Sequence, residues 1–467
     1  MSAPSYPLEP GCLDEAFEPD GSPRPLYREL LEGVARQDLA ALHDRIEAKV
    51  AAADLTFGEG RPIPIDPVPR LIAVEEWEEL EAGLLQRARA LNAFIADAYG
   101  PQRIFEAGVV PRRLLETSSG YAPAMAGLLD SEVPAATIAG LDLVRTSEGE
   151  LQVLEDNLRM PSGACYSLAI REIVAPELGS AVAPRHLGGY LEKLGEAIRE
   201  AAPQGRDEPF AVVLSDGPEN GAWYEHERVG RELDLPIVTP DQLEASRGRL
   251  LARVADRRRQ VDVVYRRLDM DQISKPDGSP TALGELLLPA LRAGNLRCVN
   301  AFGTGLADDK LTHAYVERMI DFYLGEEPSI RSVPSYDLGD EAAWAAAMER
   351  LGELVIKPRG SFGGHGVTIM PRAGEAERGR ASEAVHRHPE QFIAQEPVGL
   401  STHPTVCDGE LQPRRVDLRP FVISSVEGGA AMTGGLTRFA QGAGELIVNS
   451  SQGGGCKDTW VVENPAA

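Results

Sequence analysis

One segment in the first third of the chain constrains the fold more than any other, because it reads as a β-hairpin with two carboxylates face to face. Gly140-Leu141-Asp142-Leu143-Val144 and Leu151-Gln152-Val153-Leu154-Glu155-Asp156-Asn157 are joined by the polar stretch Ser147-Glu148-Gly149-Glu150, a turn between two alternating runs. With the turn centred near Glu148 and Gly149, Asp142 stands opposite Glu155, and directly opposed residues point to the same side of a sheet. Asn157, two residues beyond Glu155, shares that side; Leu141, Leu143 and Leu154 are expected on the other, buried side. Opposed carboxylates repel unless a cation lies between them, and an amide oxygen beside them completes an all-oxygen donor set suited to magnesium. The alternative is a solvated polar face on an ordinary hairpin.

A second feature lies in the last third. Leu354-Val355-Ile356-Lys357-Pro358 puts an ammonium at the end of an apolar strand, where burial must be compensated by an anion. Gly360-Ser361-Phe362-Gly363-Gly364-His365-Gly366 follows at once, a loop whose backbone N–H groups can approach phosphate oxygens closely. It is not a Walker A loop, since no GxxxxGK[ST] occurs in the chain. The alternative is a flexible hairpin tip preceded by a chance lysine.

Around these features the chain of 467 residues is expected to form two or three lobes with a cleft between them. Helical spacing is present at Leu30, Leu31, Val34, Leu39, Leu42, Ile46 and Val50, and again from Trp77 to Ile95 before Gly100-Pro101. Ala211–Leu214, Pro236–Val238, Val261–Tyr265 and Arg297–Asn300 read as buried strands of a small parallel sheet. The charged stretch 372–380 reads as a surface connection. A net charge of −25 argues against a nucleic-acid partner. No apolar run of eighteen residues and no basic-then-apolar leader is present, so a cytoplasmic protein without membrane contact is expected. Five scattered cysteines suggest neither a disulfide framework nor a zinc site.

The run Asp142 to Gly163, with Glu155-x-Asn157 and Pro161-Ser162-Gly163, resembles the end of an ATP-grasp domain of the D-alanine ligase kind. The resemblance implies Asp142, Glu155 and Asn157 as magnesium ligands, with Arg159 and Ser162 as candidates for substrate or phosphate contacts. Ala307-Asp308-Asp309-Lys310 resembles the segment in which the first ATP lysine opens a helix, and Lys357 then corresponds to the second. Phe392-Ile393-Ala394-Gln395-Glu396-Pro397-Val398 resembles the adenine hinge, where main-chain groups pair with the base and an acidic or amide side chain assists. The acidic residue usual for the ribose is absent, the region reading Thr402-His403-Pro404-Thr405. Arg415, Asp417 and Arg419 share one face of an alternating strand. Gly435-Leu436-Thr437-Arg438 and Val448-Asn449-Ser450-Ser451 resemble the Arg…Asn stretch that precedes the metal hairpin in unpermuted relatives.

The metal-binding element thus comes first, and the remaining parts keep their usual order. With Leu91-Asn92-Ala93-Phe94 and the closing Gly453-Gly454-Gly455-Cys456-Lys457, the pattern resembles the circularly permuted ATP-grasp type 2 family, related to glutathionylspermidine synthase ligase domains; Cys456 stands where a serine is expected. The implied fold is α/β: an N-terminal helical region (1–110), the permuted metal-binding part of the ATP-grasp core (111–185), a Rossmann-like pre-ATP-grasp domain (186–300) and the nucleotide-binding part (301–467). The implied activity is ATP- and magnesium-dependent joining of a carboxylate to an amine through an acyl phosphate, with Lys357, Arg419 and Arg438 as catalytic candidates. Lys310, the 360–366 loop, Gln395 to Val398 and Asn449 are the nucleotide-binding candidates. Two rival readings are a phosphotransferase acting on a hydroxyl and a nucleotide-binding partner protein without turnover.

Overall fold

The structure, a computed structural model, describes residues 6–58, 60–129, 132–179, 182–268, 272–275, 277–361, 365–445, 448 and 454–465. The sequence-predicted positions Phe362, Gly363, Gly364 and Asn449 lie outside the described residues.

The N-terminal periodicities form helices. Leu39–Ala52 is capped by the Asp38 carboxylate, which accepts from Ala41 N–H at 3.1 Å, and it buries Leu42, Ile46 and Val50. Val74–Ala98 buries Trp77, Leu80, Leu84, Leu91, Phe94 and Ile95. Between them lies the strand Ile65–Ala73, which the sequence pattern obscures because it contains Pro67 and Pro69. Its prolines are tolerated because it forms the outer end of its sheet, paired among the described residues with Gly455–Val462 alone.

The predicted parallel sheet exists, in the order Arg297–Val299, Val263–Arg267, Ala211–Ser215, Ile237–Val238, with every neighbouring pair parallel. One expected strand is divided. Val261 ends the strand Arg257–Val261 of a three-stranded antiparallel meander, and a new strand begins at Val263. Asp262 breaks the run because its carboxylate turns to accept Phe210 N–H at 3.0 Å.

The largest sheet shows directly how the two ends of the chain interlock. Ile138–Arg145, the first strand of the carboxylate hairpin, is inserted between Glu410–Arg419 and Phe421–Ser425, strands from near the C-terminus. Leu436–Phe439, Gly455–Val462 and Ile65–Ala73 continue the sheet on one side, and Gly428–Ala431 closes the other. A separate antiparallel sheet contains Ser335–Asp337, Phe392–Gln395, Val355–Pro358 and Thr368–Ile369. It buries Leu354, Ile356 and Ala394 against Ala347 and Val385 of the helices Glu341–Glu349 and Glu375–Arg387. Residues 372–380 lie at the surface as expected; from Glu375, however, they form not a connection but the start of that second helix. Gly374 and two acidic residues in the first turn start it, and only Val385 is buried along it, so it carries almost no periodic apolar signal.

The five cysteines are free thiols. No helix among the described residues is long and apolar enough to cross a membrane.

Candidate active site

The hairpin register is the one read from the sequence at its functional end. Asp142 pairs with Glu155 and Gly140 with Asn157, while Gly149 turns the chain with φ +92°. Between Asp142 and Leu143 the register shifts, so that Leu143 faces Val153. This bulge adds one residue to the second strand and turns Leu154 towards the cavity, correcting the expectation that it would be buried beside Leu141 and Leu143.

A cavity of about 510 Å³ lies between the hairpin and the sheet that carries Lys357. Asp142, Glu155 and Asn157 line it from one side, and Lys310, Lys357, Arg419 and Arg438 line it as well. His365, Gln395, Glu396, Pro397 and Val398 complete the wall, with Val144, Val355, Ile369 and Leu400 giving it an apolar part near the hinge. The two features, separated by nearly half of the sequence, therefore meet in one space.

Most of the charges in this space are paired with one another. Arg419 donates to both Asp142 oxygens, at 2.5 and 2.7 Å, and Arg438 Nη2 stands 3.0 Å from the same carboxylate. Arg438 also forks onto Asp417, at 3.0 and 2.5 Å. Burial pushes the Asp142 carboxyl up, but the Arg419 and Arg438 guanidiniums outweigh it and hold the group at about 2. Asp417 moves the other way, because burial and the neighbouring Asp142 charge together exceed the pull of Arg438. Arg415, expected on the same face as Asp417 and Arg419, is instead taken by the N-terminal arm, donating to Glu9 at 2.7 Å and to the Leu400 carbonyl.

Lys310 opens the short helix Lys310–His313, as predicted. Its ammonium lies 3.0 Å from Glu155 Oε1 and also donates to the Ser361 carbonyl, which ties the foot of the glycine loop to the hairpin. Lys357 is the next-to-last residue of its strand, Val355–Pro358, with 8% of its surface exposed. Burial pushes its ammonium down to about 8, with Lys310 adding to the effect and Glu155 opposing it. Gly360 and Ser361 stand at the loop's start, and Gly366 at its end has φ +73°, a conformation that favours glycine.

At the hinge, side chains are already committed. Gln395 donates to Ser335 Oγ at 2.9 Å. The Glu396 carboxylate accepts from Arg350 at 2.9 Å through both nitrogens and from Tyr336 at 2.6 Å. Glu396 N–H donates to Pro334 O at 2.9 Å, and Pro397 has no N–H. Thr402, His403 and Thr405 are buried in the strand Thr402–Cys407 and do not face the cavity.

For a divalent cation the fit is chemical. Asp142, Glu155 and Asn157 supply only oxygen donors on one wall, and Asn157 Nδ2 is buried without a hydrogen-bond partner among the described residues. No group of three or more His, Cys, Asp and Glu residues suited to a metal occurs among the described residues, so softer multi-ligand sites are not offered.

Sequence reasoning missed the supports beneath the site. Arg359 forks onto Asp309 at 3.0 and 2.9 Å, linking the glycine loop to the residue that caps the Lys310 helix. Arg87 forks onto Asp156 at 2.6 and 2.8 Å, and His313 Nδ1 lies 2.7 Å from the same carboxylate. Asp308 accepts the N–H groups of Leu158 and Arg159, and burial pushes it up to about 7. A sequence signal existed for one of these, Arg87, which stands at helical spacing on the apolar stripe of Leu80, Leu84, Leu91 and Phe94.

The model of the family described as "Circularly permuted ATP-grasp type 2" matches residues 69–440. An uncharacterized protein of Synechocystis sp. is 37% identical over 99% of this chain and 99% of its own length. A Frankia alni protein named "Putative glutamate--cysteine ligase 2-3" is 40% identical over 97% of this chain, which spans 54% of that longer protein. Among solved structures, a glutathione synthetase like-effector from Globodera pallida in apo form superposes with a TM-score of 0.61 at 12% identity, covering 91% of this chain and 98% of its own, so the two share a fold. The insertion of the Ile138–Arg145 strand among C-terminal strands and the match over residues 69–440 have one meaning: the chain belongs to the circularly permuted ATP-grasp type 2 family.

Proposed function

We propose that the chain is an ATP-dependent ligase that joins a carboxylate to an amine, with the nucleotide in the 510 Å³ cavity and magnesium held by Asp142, Glu155 and Asn157. The observation that carries this reading is the meeting of those three oxygen-bearing side chains with Lys310, Lys357, Arg419 and Arg438 around one space. Magnesium would neutralise the phosphate oxygens and strengthen the electrophilic character of the γ-phosphorus.

In this reading the apolar wall at Val144, Val355, Ile369 and Leu400 takes the adenine, and hinge main-chain groups pair with its edge. Since the Gln395 and Glu396 side chains are committed elsewhere, main-chain groups would supply that recognition. Lys310 and Lys357 bind the triphosphate as point charges. A substrate carboxylate oxygen attacks the γ-phosphorus, the bond to the β-phosphate oxygen breaks, and ADP leaves. The amine nitrogen then attacks the acyl carbon, phosphate departs, and the nitrogen loses a proton. Arg419 and Arg438, paired with Asp142 and Asp417 before ligands bind, would turn to the phosphates and stabilise the charge on the transferring group.

The reading is tested by incubating the protein with ATP, magnesium, hydroxylamine and a panel of carboxylic acids. A ligase forms a hydroxamate with release of phosphate. A phosphotransferase leaves a stable phosphate ester and no hydroxamate, and a non-catalytic nucleotide binder consumes no ATP.

A further inference from the structure

A second cleft, of about 810 Å³, opens behind the cavity just described, and Arg159 and Asp308 line both. Its two walls are set by close backbone approaches. On one side the 118–121 loop lies against the start of the helix Gly305–Asp308, where a side chain on Gly120 would come within 2.1 Å of the Gly305 carbonyl oxygen. On the other, the loop carrying Ser274 and Lys275 rests on the helix Ala282–Arg292, where a side chain on Gly284 would come within 2.0 Å of the Ile273 carbonyl oxygen. Both walls are thus fixed by contacts that only glycine permits.

The lining is hydroxyl-rich and locally basic. Thr117, Ser118, Ser119 and Ser274 face the cleft, and Ser274 Oγ is buried without a hydrogen-bond partner among the described residues. Two of the three lining carboxylates are engaged, Asp309 by Arg359 and Asp308 by the main-chain N–H groups of Leu158 and Arg159. Lys275 and Arg292 also line the cleft and make no ion pair among the described residues. In a chain with net charge −25, a hydroxyl-lined cleft that retains two uncommitted cations is suited to an anion.

Resting on the ligase reading, we propose that this cleft holds the remote end of the acid substrate, a molecule with at least one carboxylate besides the one that reacts. Lys275 and Arg292 pair with that second carboxylate and Ser274 Oγ donates to it, while the reacting carboxylate passes Arg159 into the phosphate cavity. The cleft then selects polycarboxylic acids over monocarboxylic acids of similar size.

Calorimetry on the full chain with triglutamate and with triglutamine, a neutral counterpart of nearly the same shape, tests the assignment. The wild type should bind triglutamate and not triglutamine, the Lys275→Ala/Arg292→Ala variant should bind it about tenfold more weakly or worse, and Ser274→Ala, which is the least disruptive change, should weaken it by a smaller factor. Equal binding of both peptides, no binding of triglutamate to the wild type, or undiminished binding to the double variant would each overturn the proposal. A nonhydrolysable ATP analogue titrated in parallel should bind wild type and variants alike. Failure of the wild type to bind the analogue would count against the nucleotide reading alone, leaving the peptide titration to decide the cleft.

Discussion

Glu155 Oε1 lies 3.0 Å from Lys310 Nζ, so an oxygen proposed for a metal is held by a cation proposed for a phosphate. Asp142 stands in the same relation to Arg419 and Arg438. These two carboxylates are therefore paired with cations of the protein itself. Triphosphate and divalent cation together would exchange these partners, the phosphates taking Lys310 and the arginines while the metal takes the carboxylates. Either ligand alone would leave one set of charges exposed in a buried space.

Nucleotide and metal should accordingly bind with positive coupling. The affinity of an ATP analogue measured by calorimetry should rise on adding magnesium by a factor on the order of 10 to 100, the usual range of a coupling free energy between sites. Equal affinity with and without magnesium would speak against the exchange of partners.

Glu155→Ala should abolish most ATP turnover, by about 100-fold or more, the scale seen when one group that stabilises transition-state charge is removed. Its side chain is 26% exposed, and Lys310 keeps its bond to the Ser361 carbonyl, so thermal unfolding should shift by only a few degrees. Unchanged turnover in a folded variant would refute its role at the metal.

Lys357 makes the account sensitive to pH. Burial pushes its ammonium down to about 8 from an ordinary value of 10.5. Between those values the unfolded chain holds more protons than the folded one, so the Lys357 contribution makes the ligand-free fold more stable as pH rises through that window. A bound triphosphate favours the ammonium and raises its pKa again, so binding should take up a proton and weaken as pH climbs past about 8. Titrations near pH 8.5 in two buffers of different ionisation enthalpy would read the uptake, and Lys357→Met should remove it.

The buried Arg359–Asp309 pair, with side chains 6% and 4% exposed, joins the glycine loop to the Lys310 helix. Arg359→Met should destabilise the fold by about 3–5 kcal/mol, because it strands a buried carboxylate. Adding Asp309→Asn should recover much of this, since asparagine retains an oxygen for Leu311 N–H, which Asp309 now caps at 2.9 Å. Chemical denaturation of both variants measures the difference.

How much of this was legible in the sequence varied with the length scale of the cause. The facing of Asp142 and Glu155 follows from a turn centred between Glu148 and Gly149, but the strands leave the turn one residue out of that register, pairing Arg145 with Leu151 and Leu143 with Val153, and the bulge after Asp142 restores the pair. Lys357 could be read because a charge at the end of an apolar strand demands a partner. Leu154 was misplaced because a one-residue bulge leaves no mark in the hydrophobic pattern. The Ile65–Ala73 strand was hidden by its prolines, which only its place at the sheet's end makes tolerable. The commitment of the Glu396 carboxylate to Arg350 and Tyr336, and of Arg415 to the N-terminal arm, depended on tertiary packing that local spacing does not encode.

The most direct test is a crystal structure with a nonhydrolysable ATP analogue and manganese, whose anomalous scattering locates the metal. The account predicts manganese on the oxygens of Asp142, Glu155 and Asn157, with the triphosphate between it and Lys310 and Lys357. A nucleotide bound elsewhere, or a metal that leaves Asp142 and Glu155 with their arginines and lysine, would contradict it.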